Sequence, residues 1–378
     1  MSQVPPLHFG FGKAVGIDQA ENVISRLGGR LPPDEVHLEF EQCPRFFPGA
    51  SWRIGNALRR LQRGQVVCSL NKCPADTVDV FSSSDWFLGF TRSCIGDSLA
   101  AYATHFRCGG SDLVTGLRHY YQQHRFRQSN NSVVITDLTD PGQLEYEDIV
   151  HFERIIVAAL RYVNASMAEL NPDVFKALCR ILFEAVQNVY DHAHRSPLPA
   201  NAQICSYFSM AYYKRLPDYF SDSTRTWSEY ARGLQHHQIS PRTSAFLHFV
   251  INDDGVGIAA RQSQNDQIYF GPIDEEINAT LSAMEHNSSV KLLTNDCRIR
   301  GTPGAGFTYI ASCLRRVRGH CSIRTGRLLA SFNGASLLNE SSFALRSKTL
   351  GYMPGAAMEI LVPLQTVSES LFASREME

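Results

Sequence analysis

The chain has 378 residues, of which 44% are apolar and 19% charged, with 36 Lys and Arg set against 37 Asp and Glu for a net charge of −1. Such a length predicts about two domains, each with its own core, and the composition is that of an ordinary soluble globular protein. The balanced charge gives no global electrostatic case for binding nucleic acid or an anionic membrane.

Local basic pairs such as Arg59-Arg60 and Arg315-Arg316 read as solvated helix faces. No apolar run approaches the roughly 18–20 residues that cross a bilayer. Met1-Ser2-Gln3-Val4-Pro5-Pro6 lacks the charged and apolar regions of a signal peptide, so a cytoplasmic location is expected. The ten cysteines contain no CxxC pair and are expected to act mainly as small hydrophobes. A zinc site from Cys68, Cys73, Cys94 and Cys108 has the wrong spacing for a zinc knuckle.

Residues 1–145 alternate strand-like and helix-like stretches, the pattern of a small α/β unit. Val36 to Phe40 alternates apolar and polar as a half-buried strand does, and a loop with Pro44 and Pro48 follows. Trp52, Ile54, Leu58 and Leu61 then fall at near-helical spacing, with Gly64 as the stop. Val66 to Leu70 and Ser132 to Asp137 are further strands, the second bracketed by the turn signals Ser129-Asn130-Asn131 and Asp140-Pro141-Gly142. The strand–loop–helix from Val36 to Leu61 faintly resembles a STAS domain. That likeness makes Ser51 a candidate phosphorylation site, although the acidic and serine pattern is missing and an N-cap role suits the residue as well. Tyr146 to Leu170 is predicted as a connecting helix, assigned to residues 146–169. His151 on it is either a phosphoacceptor, as in histidine kinases, or a structural histidine facing solvent.

Phe175 to His194 has helical periodicity, with Leu178, Ile181, Leu182, Ala185 and Val189 on one face. Glu184, Asn188 and Asp191, at i, i+4 and i+7, form an adjacent polar stripe, which alone is also the pattern of a solvated face. Further on, the strong strand Phe246 to Ile251 leads into Asp253-Asp254-Gly255-Val256-Gly257, a carboxylate and alternating glycines that let backbone approach a planar group closely. Gly301-Thr302-Pro303-Gly304-Ala305-Gly306-Phe307 then opens an apolar helix carrying Tyr309, Ile310, Cys313, Leu314 and Val317. Free backbone N–H groups at such a start suit an anion.

In this order and spacing the three stretches resemble the N, G1 and G2 boxes of the GHKL ATPases, a family that includes gyrase, heat-shock chaperone ATPases, histidine kinases, mismatch-repair ATPases and anti-sigma-factor serine kinases. The likeness covers residues 170–364. It implies an α/β fold with a C-terminal Bergerat-type sandwich, a mixed sheet covered by helices, beside the smaller N-terminal α/β domain. By resemblance, Glu184 is the general base, Asn188 binds Mg²⁺ beside the triphosphate of ATP, and Asp191 and His192 line the site after it. Asp253 would accept the adenine amino group, Gly255 and Gly257 would shape the pocket floor, and Gly301, Gly304, Gly306 and Phe307 would cradle phosphate. Glu184-Ala185-Val186 with Asn188 and His192 is similar to the serine kinases, whereas the acid at Asp191 is similar to the chaperone and gyrase branch.

Ile258 to Arg300 would form the lid, with a short helix over Asn278 to His286 and with Arg298 and Arg300 as candidates for phosphate contacts. Gly319 to Gly326 and Ala357 to Leu364 resemble the closing strands. The family often has a threonine directly after the glycine that opens the last strand, but Ala356 follows Gly355 here. Either another hydroxyl such as Thr325 substitutes, or nucleotide affinity is lowered. No lysine for the γ-phosphate can be assigned, so hydrolysis is expected to be slow, with transfer to a protein or a non-catalytic switch as the alternatives. A protein partner or a homodimer is expected, without a coiled-coil heptad, and residues 365–378 form a polar, disordered tail.

Overall fold

A computed structural model describes residues 6–12, 14–27, 35–40, 45–46, 50–58, 65–70, 105–108, 111–112, 126–129, 132–136, 153, 156–157, 172–192, 206–216, 225–253, 255–285, 306–338, 342–347 and 350–364. In the N-terminal part, β1 (Leu7–Phe11), β3 (Glu35–Phe40), β5 (Gln65–Leu70) and β6 (His105–Cys108) are neighbouring parallel strands, and β7 (Ser111–Asp112) adds antiparallel to β6. A second, two-stranded sheet pairs β2 (Ala14–Val15) with β4 (Arg45–Phe46). The helices α1 (Ile17–Leu27) and α2 (Ala50–Leu58) connect the first three parallel strands and pack on one another. Because α2 starts at Ala50, Ser51 lies within the first turn and not at the cap expected for it. His151 lies outside the described residues, but nearby Glu153, Ile156 and Val157 are helical and Ile156 is fully buried.

The large sheet has eight strands in the order β14-β13-β12-β15-β11-β10-β9-β8. These are β8 (Phe126–Ser129), β9 (Ser132–Thr136), β10 (Ser206–Tyr213), β11 (Phe246–Asp253), β12 (His320–Gly326), β13 (Leu328–Asn333), β14 (Ala344–Ser347) and β15 (Met353–Pro363). The expected mixed sheet is antiparallel at every one of these pairings. The strand at Ser132, assigned from sequence to the N-terminal unit, belongs here: β9 pairs with β10, bringing Ile135 opposite Phe208. A local apolar pattern identifies a strand but not its neighbour, and the sheet this strand joins is set by long-range pairing.

One face of this sheet packs on α3 (Pro172–His192) and α7 (Gly306–Arg316). Leu247, Phe249 and Ile251 from β11, Cys321 and Ile323 from β12, and Met358, Ile360 and Val362 from β15 join Leu178, Ile181, Leu182, Ile310 and Leu314 in the main core. The alternate residues point to the other face, as the two-residue period of a strand requires. At one end of it Phe246 and Leu361 pack against Tyr230 and Leu234 of α4 (Arg225–His236). Elsewhere this second face is polar: His248, Asn252, His320, Ser322, Arg324 and Glu359 are all buried. Among the described residues no helix is long and apolar enough to cross a membrane.

The N-terminal helices meet that polar face, with α2 packed on β15. Arg53, only 3% exposed, donates to Glu21 Oε1 at 2.8 Å and to Glu359 Oε1 at 2.5 Å. Arg324, fully buried, donates to Glu21 Oε1 at 3.0 Å and Oε2 at 3.1 Å. Two guanidinium groups and two carboxylates thus cancel within one cluster. Burial pushes Glu21 towards neutrality, but Arg324 and Arg53 outweigh it and hold its carboxyl below the ordinary range.

Removing one member strands a buried charge, which typically costs about 3–5 kcal/mol, whereas removing a matched pair does not. Arg53→Met and Glu359→Met should each destabilise by about that amount in urea unfolding. The double variant, which leaves Glu21 with Arg324, should lose clearly less than the sum of the two single losses. Additive losses would show that the cluster is not energetically connected.

Burial, with Arg53 nearby, depresses His248 to about 3, and burial, with Arg346 and His248, does the same to His320. Both lie below the ordinary 6.5, so the unfolded chain takes up these protons first. The stability tied to the neutral rings is complete above about pH 6.5 and drains as pH falls towards 3. Replacing His320 with Asn should flatten that acid limb by up to about 1.4 kcal/mol per pH unit in denaturation curves, and an unchanged slope would refute the assignment.

Candidate functional site

Pro172 at the first position of α3 carries a preset φ where no intrahelical N–H bond is needed. The helix buries Val174, Ala177, Leu178, Ile181, Leu182, Ala185 and Val186, which fixes its rotation and places Glu184 and Asn188 beside the apolar face. It runs antiparallel to α7. Arg316 in the last turn of α7 meets Asp173 in the first turn of α3 at 2.9 Å, while Gly306 at the start of α7 lies over Asn188 and Glu184.

The fit at Gly306 is close. A Cβ there would stand 3.0 Å from Asn188 Oδ1, 3.3 Å from Asn188 Nδ2 and 3.4 Å from Glu184 Oε2. The first and third sequence boxes therefore meet. Glu184 is 7% exposed, and Oε1 is 2.5 Å from the guanidinium of Arg180, one turn earlier. That guanidinium also lies over the ring of Tyr309 at 4.8 Å. Arg180 was not foreseen as a site residue, although its i, i+4 spacing to Glu184 was a readable signal. Among the described residues Asn188 Nδ2 is buried without a hydrogen-bond partner, an arrangement that costs about 1–3 kcal/mol where nothing compensates.

Asp191 and His192 occupy the last turn of α3, but their side chains lie outside the described set, as do Gly301, Gly304, Arg298 and Arg300 altogether. Phe307 is half-buried and packs edge-on against Phe343, with ring centroids 5.7 Å apart.

The second box closes β11. Asp253, 6% exposed, accepts hydrogen bonds from the backbone N–H of Gly255 at 2.9 Å and from that of Ala356. Burial nevertheless raises its carboxyl from 3.8 to about 7, the two N–H donors offsetting only part of the desolvation. Gly257 has φ +80, and a Cβ on it would come within 3.2 Å of both Gly355 O and Thr325 Oγ1, so conformation and space both call for glycine. Thr325 donates to Gly355 O at 3.1 Å and accepts from the N–H of Ile258 at 3.2 Å. In register it stands opposite Ala356. A hydroxyl thus reaches this corner from β12, one strand away from the position where the sequence lacks one.

The stretch after Gly257, expected as a lid, is packed structure in its described half. It forms α5 (Ile258–Ser263), a 3-10 turn (Asp266–Phe270) and α6 (Ile273–Met284), a helix that begins before the expected Asn278. Three acids in the first turn, Asp274, Glu275 and Glu276, favour that earlier start. Buried Glu276 ties the helix to the β12–β13 hairpin by accepting from the backbone N–H and the Nε of Arg327, each at 2.6 Å. Tyr269 donates to Val256 O at 2.9 Å and so braces the second box from the same segment.

No family model matches the chain, and no curated protein or solved structure is significantly similar to it.

The raised Asp253 carboxyl has a consequence for stability. Its folded value lies above the unfolded one, so the associated stability is complete below 3.8 and is lost as pH rises through about 7. Asp253→Asn, which does not titrate, should gain on wild type across that window by up to about 1.4 kcal/mol per pH unit. Thermal or urea unfolding at pH 5 and pH 8 checks this, and a constant difference between the two proteins would contradict it.

Proposed function

We propose that the chain is a GHKL-type ATP-binding protein, with a Bergerat-type sandwich, that binds Mg-ATP and hydrolyses it slowly or transfers its γ-phosphate. The observation that carries the reading is Gly306 seated on Asn188 and Glu184, because it joins a glycine helix start to an amide and a carboxylate from a distant helix. Such a junction offers backbone N–H groups to an anion and a carboxylate to a nucleophile. The buried Asp253 beside Gly255 and Gly257 supplies an acceptor suited to the adenine amino group, with a backbone floor that side chains would block.

Within this reading Asn188 Oδ1 would hold magnesium, and its placement against Gly306 with an unpartnered Nδ2 fits a group completed by a ligand. Magnesium keeps water and phosphate oxygens among its ligands, so one side-chain oxygen from the protein would serve. When bound, magnesium would neutralise charge on the phosphates. Glu184 would take the proton of the attacking water or protein hydroxyl at its carboxylate, with Arg180 fixing the carboxylate's rotamer until then. The STAS-like character of the N-terminal unit and a protein partner or homodimer belong to the same proposal.

A second reading is a non-catalytic ATP-dependent switch. The Arg180–Glu184 pair favours it, since a carboxylate engaged at 2.5 Å is a poorer proton acceptor.

Phosphate release with Mg²⁺ and ATP separates the two. Under the enzyme reading Glu184→Ala should abolish turnover, at least tenfold below wild type, and leave ATP affinity within a few fold. Asn188→Ala and Asp253→Asn should each weaken binding by about tenfold or more. Turnover unchanged in Glu184→Ala would remove its role as base, and wild-type affinity in both other variants would overturn the site.

A further inference from the structure

Arg53 and Asn56 lie at i and i+3 and so share one face of α2. Arg53 is occupied by the charge cluster. Asn56, fully buried, is spent on something else. Its Nδ2, with two hydrogens, lies within hydrogen-bond distance of the Asp253 carbonyl at 2.8 Å, Asn252 Oδ1 at 3.1 Å and the Pro354 carbonyl at 3.2 Å, so that one hydrogen is shared between two acceptors. Its Oδ1 accepts from Asn252 Nδ2 at 3.0 Å.

A buried asparagine most often just satisfies a docking surface. The destinations of these bonds argue for more. Every partner lies on one of two strand segments, the end of β11 (Asn252 and Asp253) and the start of β15 (Pro354). Those are also the segments that the Asp253 carboxylate bridges, through the N–H of Gly255 and of Ala356. Successive residues of a strand point to opposite faces, so Asn252 meets Asn56 on the face turned to the N-terminal unit while Asp253 points away from it. Between Pro354 and Ala356 stands Gly355, with φ +72, a conformation with little resistance of its own to a shift. One amide from the N-terminal unit thus sets the separation and tilt of the two peptide segments that aim the carboxylate.

We propose that Asn56 is a positioning residue for base recognition: by fixing the carbonyls of Asp253 and Pro354 it sets the discrimination of adenine from guanine. The role rests on the nucleotide reading above. Adenine presents an amino group where guanine presents a carbonyl oxygen, so a carboxylate held in place rewards one and repels the other. A carboxylate free to swing loses that contrast first.

The test uses the full chain and measures affinities for ATP and GTP, each with Mg²⁺, in wild type, Asn56→Ala and Asn56→Ser. Serine keeps a small polar group but cannot span three acceptors, and it serves if the alanine variant folds poorly, as judged by circular dichroism and Tm. Asn56 variants with native spectra should lower the ratio of ATP to GTP affinity by about tenfold, chiefly by losing ATP. A purely structural residue would lower Tm, or both affinities alike, and leave the ratio unchanged. Wild-type preference for ATP retained in full by both variants overturns the role of Asn56 alone. A wild-type chain that binds neither nucleotide overturns the nucleotide reading and this role with it.

Discussion

The buried cross of Glu21, Arg53, Arg324 and Glu359 is the constraint on which the rest of the molecule depends. Arg53 and Glu359 are separated by 306 positions in the chain, and Arg324 and Glu21 by 303. A contact this remote is formed only when both the N-terminal unit and the large sheet are already in place. Arg53, Arg324 and Glu359 are also too deeply buried for solvent to replace a missing partner, while Glu21 keeps 16% of its side chain exposed. An apolar face would have glued the two units together with little preference for orientation, whereas charges with fixed hydrogen-bond directions tolerate one register. The polar second face of the sheet therefore works as an alignment device as well as a core.

That alignment reaches the candidate site because of where the strands lie. β15 carries Glu359 in the cross and, near its start, Gly355 and Ala356 beside Asp253; β12 carries Arg324 in the cross and Thr325 at the second box. Adjacent residues of one strand face opposite ways, so a docking residue and a site residue can be immediate neighbours in sequence without competing for space. The apolar face does the corresponding work for the first and third boxes, since the antiparallel packing of α3 on α7 is what lays Gly306 over Asn188.

Much of this was legible in the sequence wherever a local pattern carried it. The 3.6-residue period of α3, the apolar run of β11 and the helix from Gly306 all fall where the pattern put them, and Gly257 of the second box has close backbone and side-chain neighbours. What sequence could not show is pairing. β8 and β9 look like any short strands, and only long-range register assigns them to the large sheet. Arg53 and Asn56 look like ordinary polar positions of a short helix, because their partners lie far along the chain. The stretch after Gly257 reads as a lid from its length and its place between the boxes, and the Glu276–Arg327 contact that ties its described part to the β12–β13 hairpin has no local signature. Thr325 was readable as a stand-in hydroxyl, but its position opposite Ala356 comes from the β12–β15 register alone.

Some of the groups that local rules handle worst lie at the candidate site. Asn188 keeps a buried Nδ2 without a partner, Asp253 keeps a carboxylate where burial opposes its charge, and Gly257 and Gly355 hold positive φ. The amide and the carboxylate each lower stability relative to an apolar or better-satisfied alternative. Both, Asn188 and Asp253, are also residues that the sequence motifs mark for binding chemistry. Elsewhere some burdens are offset on the spot, since the charges of the cross neutralise one another and Glu276 is answered by Arg327, whereas Thr280 Oγ1 and Arg261 Nε are buried without a hydrogen-bond partner among the described residues. At two of the boxes the Asn188 Nδ2 lacks a partner among the described residues and two N–H donors offset only part of the burial of Asp253, and these are the two groups that the proposed nucleotide would complete.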